Sequence, residues 1–242
     1  MAFFFNTFFY DPLLNLLVLL YKSVAFQDLG LAIIFLTVLI RIILFPLFQK
    51  SAKYQIVMQG LQPKVAQIQK QFKENKTKQT EALMALYKEN KTNPFSGFVF
   101  LILQLPILIA LYQIFLNILK PEVFTGLYRF ISAPEVFNTS FLGLINLADP
   151  NIIVVGLAAL GQYFQIKTSL PKDQDPATFT PQEKMNRRMA FIAPLLTLFI
   201  FYNLPAAVSL YWLTASIFSV VQQELIQKKL LKEKNGAVGN IH

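Results

Sequence analysis

The sequence predicts an all-α, polytopic membrane protein. Three observations carry this. Apolar residues make up 55% of the chain, mean hydropathy is +0.48, and only 14% of residues are charged. Apolar runs long enough to cross about 30 Å of hydrocarbon recur along the chain. The lysines and arginines collect in alternate loops between those runs. A soluble chain of this size could not hide 24 Phe.

Element by element, the first apolar stretch is 12–26 (PLLNLLVLLYKSVAF). Asn15 and Lys22 interrupt it, so it reads as a short interfacial amphipathic helix. The membrane spans are expected at about 29–48, 95–119, 150–169, 189–204 and 206–226. The fourth is short, and the Leu204-Pro205 region makes the last two a tight hairpin. The domain reading is therefore an N-terminal segment 1–28, a five-helix core 29–226 surrounding a hydrophilic groove, and a short basic tail 227–242 that loses order.

Charge sets the orientation. Lys50, Lys53, Lys64, Lys70, Lys73, Lys76, Lys78, Lys88 and Lys91 lie between spans one and two. Lys172, Lys184, Arg187 and Arg188 lie between spans three and four, and Lys228, Lys229, Lys232 and Lys234 follow span five. The other side holds only Lys22, Lys120 and Arg129. The positive-inside rule then places the N-terminus outside and the C-terminus in the cytoplasm. The net charge of +9 reports topology and attraction to anionic lipid rather than DNA binding.

Residues 50–92 read as a cytoplasmic helical hairpin. Met58, Leu61, Val65, Ile68 and Phe72 form one apolar stripe, and Leu83, Leu86 and Tyr87 a shorter one. The turn falls at 74–77 with Thr77 as the helix cap, and Pro63 bends the first helix or marks its start. The stripes either pack only on each other or also contact incoming chains.

Arg41 stands inside LAIIFLTVLIRIILFPLF, residues 31–48. A charge at this depth costs about 2.5–3.5 kcal/mol on insertion scales. The one acidic residue within the spans, Glu224, stands at the last turn of the fifth and is not available to Arg41 as a partner, and Asp149 is near the outer end of the third. Two readings stand: a water-filled groove around the guanidinium, or bonds to backbone carbonyls. Thr37 lies one turn earlier on the same face. Gln104 in span two, and Gln162 and Gln165 in span three, are further polar positions. In span five Ser209, Trp212, Ser216, Ser219 and Gln223 repeat at 3-4-3-4 spacing, one mildly polar stripe. Such residues either join helices by hydrogen bonds or line the groove. Tyr211 and Trp212 also suit an interfacial belt.

The chain has no Cys, and its single His is the last residue, His242. This excludes disulfides and thiolate chemistry. No phosphate-binding loop, metal cluster or catalytic constellation is present in the sequence, so the reading is a non-enzyme without cofactor. The N-terminus lacks a positive region and a small-residue cleavage site, which argues against a signal peptide.

The strings FNTFFYDPLLNLLVLLYKSV and LGLAIIFLTVLIRIILFPL open a longer pattern. It continues through MQGLQPKVAQIQKQFK, ALMALYKENKTNPFSG, LILQLPILIALYQIF and PQEKMNRRMAFIAPLLTLFIFYNLPAAVSLYWLTASIFSVVQQ. Over residues 6–228 this resembles the YidC/Oxa/Alb family of membrane-protein insertases. The resemblance implies a five-helix core with a groove open to cytoplasm and lipid and closed on the outer side. The family's intramembrane arginine falls on Arg41. Its groove positions fall on Gln165, Ser209, Trp212 and Ser216, and its hairpin on residues 50–92. The hairpin contacts expected from it are Met58, Leu61, Pro63, Val65 and Tyr87.

The function this implies is insertion and folding of integral membrane proteins at a bacterial plasma membrane. Nascent single-span and other small membrane proteins are the implied partners, with the Sec translocon, the ribosome and anionic lipids beside them. The large outer domain of Gram-negative members and the lipoprotein cysteine of many Gram-positive ones have no counterpart in this sequence. A substrate helix would leave past Phe100, Leu101, Phe218 and Val221. A small channel or transporter subunit is the alternative reading, although no internal repeat supports it.

Overall fold

The computed structural model describes residues 2–93, 96–135, 137–170, 179 and 181–239. The chain is almost wholly helical. It begins with α1 (Ala2–Phe5), a π turn (Asn6–Tyr10) and α2 (Asp11–Ser23). These run on without a break, so Phe3–Ser23 is one helix long and apolar enough to cross a membrane by length and composition. The helix expected over 12–26 is thus continuous with the residues before Pro12 and ends at Ser23. Pro12 does not start a new helix, because the wide π turn just before it closes through the Asp11 amide on the Asn6 carbonyl.

Asn15 does not mark a solvated face either. Its amide donates to the Asp11 and Gly126 carbonyls at 2.8 and 3.1 Å, and its oxygen accepts from the Tyr128 amide at 2.7 Å. Around it Leu14, Leu17, Val18 and Tyr21 are fully buried in the core they share with α3 (Leu29–Ile43).

The first expected span, 29–48, is broken. α3 ends at Ile43, and α4 (Phe45–Gln71) leaves at a 62° bend. Pro46 is the cause: it has no amide hydrogen, and its ring displaces the carbonyl four residues earlier. α4 then passes through Pro63, which is exposed and neither begins nor ends it.

α5 (Lys76–Glu89) returns antiparallel. Asn75 caps it, accepting from the Lys78 amide at 3.0 Å. Thr77, the expected cap, already lies inside the first turn. The hairpin core is Leu61, Val65 and Leu86, with Met58, Ile68, Leu83 and Tyr87 packed on it.

Four further helices complete the bundle: α6 (Ser96–Asn117), α7 (Ile152–Ser169), α8 (Pro181–Phe201) and α9 (Ala206–Gly239). With α3 they alternate in direction. α9 continues helical through Gly239, beyond the point at which order was expected to fail. α7 lies along α9 because Gly161 has no side chain. A Cβ there would come within 3.1 Å of Leu213 and 3.4 Å of Ser216. The carbonyls that end α7 are held by glutamines from two other helices. Gln227 of α9 donates to the Thr168 carbonyl at 2.9 Å, and Gln59 of α4 to the Ser169 carbonyl at 2.7 Å.

A small cap closes the end where α3 and α9 start. It contains a 3-10 turn (Pro121–Gly126) and the antiparallel pair β1 (Ser140–Phe141) and β2 (Ile145–Asn146), with Phe141 opposite Ile145. Phe141 lies directly on Gly30, where a Cβ would meet its ring at 2.1 Å. Tyr21 stacks on Phe137 at 4.3 Å, and its hydroxyl accepts from the Asn138 amide at 2.8 Å. The first amides of α9 are taken by this cap: Ala206 donates to the Asp149 carbonyl at 2.9 Å and Ala207 to the Leu147 carbonyl at 3.1 Å.

The outer surface of the bundle is apolar. Ile153, Leu157 and Leu160 of α7, Phe191, Leu195 and Phe199 of α8, and Ile217, Val221 and Leu225 of α9 all point outward. A continuous belt of this kind is a lipid-facing surface.

Candidate functional site

Arg41 occupies the last turn of α3, just before the Pro46 bend. The bend carries α4 back across the guanidinium, and Phe48 lies under it with its ring centre 4.8 Å from Cζ. From α9, Tyr211 is near enough to interact electrostatically with Arg41. The Tyr211 oxygen in turn accepts from the Gln104 amide of α6. Residues from α3, α4, α6 and α9 therefore converge on one buried polar cluster. Arg41 is only 4% exposed, so it is enclosed rather than standing in an open cleft.

Thr37 is buried one turn above, but its hydroxyl donates to the Ile33 carbonyl of its own helix at 2.6 Å. Below the cluster Gln222 donates to the Phe45 carbonyl at 3.4 Å. Tyr211 and Gln222 are three turns apart on one face of α9, and that face follows the bend between α3 and α4.

The expected stripe lies on a different face. Successive helical residues are rotated by about 100°, so Tyr211 and Trp212 point in different directions. Ser216 packs on Gly161 of α7, and the Trp212 ring meets Phe201 of α8 edge-on at 5.5 Å. Within the stripe, Ser216 thus faces α7 and Trp212 faces α8. Ser219 is satisfied locally, donating to the Ala215 carbonyl at 2.9 Å. Ser209 Oγ, Trp212 Nε1 and Gln223 Nε2 are different: all three are buried with no hydrogen-bond partner among the described residues.

On α7, Gln162 accepts from Thr197 of α8 and so joins two helices. Gln165 is half-buried one turn on. The structure thus links Arg41 and Gln104 through Tyr211, and sets Gln162, Trp212 and Ser216 at the contacts among α7, α8 and α9. Of the hairpin residues, Leu61 and Val65 are buried, Met58 and Tyr87 pack on them, and Pro63 faces away. On the expected exit path Val221 is exposed and Phe218 half-buried, while Phe100 and Leu101 lie outside the residues whose side chains are described.

The sequence reading left Phe48 and Gln222 out of the site and gave Tyr211 only a belt role. The spacing 211, 215, 218, 222 carries Tyr211 and Gln222 as a second face of α9, while Phe48 comes from α4. It is hard to see because Ala215 and Phe218 are apolar.

A profile of the family described as 60Kd inner membrane protein matches residues 19–234, most of the chain. The chain belongs to the YidC/Oxa family. Two curated members, both named membrane protein insertase YidC, come from Francisella tularensis subsp. novicida (strain U112) and subsp. tularensis (strain SCHU S4 / Schu 4). Each is 32% identical over 199 residues, 82% of this chain and 32% of the relative. The chain therefore spans about a third of the length of the curated YidC relatives it matches. A solved structure described as an active YidC insertase with its first transmembrane domain resolved superimposes with a TM-score of 0.57. It is 26% identical and covers 90% of this chain and 45% of the solved one. The helical membrane fold is thus that of YidC, and the inner membrane is where the family resides.

Proposed function

We propose that this chain is a non-catalytic insertase, which moves integral membrane proteins from the cytoplasm into the bilayer and helps them fold. The observation that carries this is the row Ser209, Trp212 and Gln223. These are three buried polar atoms on one face of α9 without partners, inside a bundle whose outside is apolar. Each such group costs about 1–3 kcal/mol while it stays unsatisfied. A polar peptide or water entering between α7, α8 and α9 removes that cost. The seam is then the closed form of a hydrophilic groove.

A substrate's short hydrophilic end must cross hydrocarbon, and each bare polar group there is expensive. The seam offers hydrogen bonds over part of that distance. Arg41 supplies a positive charge for acidic residues of the substrate, positioned by Phe48, Tyr211 and Gln104. The substrate's apolar segment then partitions into lipid past Val221, and this partitioning, aided by the membrane potential on acidic ends, drives the step. The N-terminus lies outside and the hairpin and C-terminus face the cytoplasm, as the lysine distribution requires. There the lysine-rich hairpin meets nascent chains, ribosomes and anionic lipid, and the Sec translocon is a lateral partner.

Reconstitution tests this. Vesicles containing only this chain are expected to insert a single-span test protein with an acidic translocated end. Arg41→Ala should lower that yield about tenfold and Arg41→Lys should restore most of it. Equal yield with and without the chain overturns the proposal. Ion flux through the same vesicles without insertion would point instead to a channel.

A further inference from the structure

The cap presents apolar side chains outward from two loops that are bound to each other. Residues 24–28 join α2 to α3, and residues 142–144 form the tip between β1 and β2. Asp28 ties them together: one carboxylate oxygen accepts from Leu31 at 2.9 Å and caps α3, while the other accepts from the Leu142 amide at 2.5 Å. Both loops adopt left-handed backbone at bulky residues, with φ of 52° at Phe26 and at Leu142. Such residues seldom accept this geometry, and it persists here because Asp28 and the β pair hold it.

The result is outward display. Phe26 is 88% exposed and Leu144 83%, with Val24 and Leu142 exposed in the same two loops. A tip in this conformation ordinarily carries Gly or Asn, and only Gly143 conforms. Lys22 borders the patch and donates to the Ser132 carbonyl at 3.1 Å, its charge at the rim and its stem along the apolar surface.

We propose that this paired loop is a membrane-interface anchor that inserts into the leaflet on the cap side. Continuity decides the occupant. Residues 24–28 join the end of α2 to the start of α3, and these two helices carry Leu19 and Phe35 exposed. Apolar outer surface thus flanks this loop on both sides. Aromatic and leucine side chains beside a lysine at that level match the composition of an interfacial anchor. The inserted loops would hold the cap level with the headgroups and fix the depth of the α3 start. Arg41 lies at the far end of the same helix.

The chain has no cysteine, so single labelling sites can be placed directly in the full-length protein. Leu144→Cys and Phe26→Cys, each carrying an environment-sensitive nitrobenzoxadiazole dye, are reconstituted in phosphatidylcholine–phosphatidylglycerol vesicles. Phe199→Cys on the lipid-facing side of α8 and Lys88→Cys on the hairpin set the two limits. At both cap sites bromolipids should quench the dye to at least about half the extent seen at Phe199→Cys, and iodide about threefold less than at Lys88→Cys. Iodide quenching equal to the hairpin site overturns the anchor. So does protection from both quenchers, which would mean that protein covers the patch. These readouts do not depend on insertion activity.

Discussion

At the scale of single residues, Arg41 shows how a buried charge is managed without an acid. An aromatic face lies beneath it, and a phenol held by a glutamine lies beside it. Tyr211→Phe removes the oxygen and leaves Gln104 buried without its acceptor. We expect this change to lower insertion of acidic substrates several-fold, and neutral ones much less, in the reconstituted assay. Equal loss for both substrate classes would show that Tyr211 matters only for packing. Gly30 makes a second test. Because Phe141 occupies the place of its Cβ, Gly30→Val should destabilise the chain by about 1–3 kcal/mol, read as a lower unfolding midpoint in detergent. The charge at position 41 was legible in the sequence, because one cation in an apolar run stands out. Its neighbours were not, since choosing between adjacent Tyr211 and Trp212 requires the rotation of α9 relative to α3, which no local pattern encodes.

Among elements, the boundaries that moved did so for local chemical reasons. Pro46 ended α3 early, a π turn let α2 extend backwards past Pro12, and Asn75 displaced Thr77 as cap. Apolar runs located the five core helices and periodicity the hairpin stripes, because lipid demands a continuous apolar length and a partner helix demands one apolar face. It was blind to the wide turn, which depends on one hydrogen bond. Asn75→Ala should destabilise the start of α5 by about 1 kcal/mol, seen as faster amide exchange over residues 76–80 with the bundle unchanged. Gln59 and Gln227 hold the end of α7 from two helices. Replacing both by Ala should expose the 168–169 carbonyls and speed proteolysis near residue 170, more than either change alone.

For the whole molecule, the apolar belt and the cap define two ends and a middle. Orientation is the property to test. Glu135→Cys on the cap and Lys229→Cys on α9 are both exposed. An impermeant maleimide added to intact cells should label the first and spare the second. The reverse pattern would invert the orientation read from the lysines. Membrane class was legible from composition alone, since no other environment tolerates this much exposed hydrocarbon. The neighbours of the polar positions were not, because the sequence records which residues are hydrophilic but not which helices pack against them.

The carbonyls of Leu147 and Asp149 grip the first two amides of α9, and helix and loop cannot part there without stranding those groups. Among the described residues the far end has no comparable backbone tie, only long side chains. Any displacement of α9 is therefore a swing about its capped end, with travel growing towards Gln223. A tilt of a few degrees would leave the Ser209 level almost still yet part the walls beside Gln223, so a guest would enter from the hairpin side and meet a stationary stop at the other.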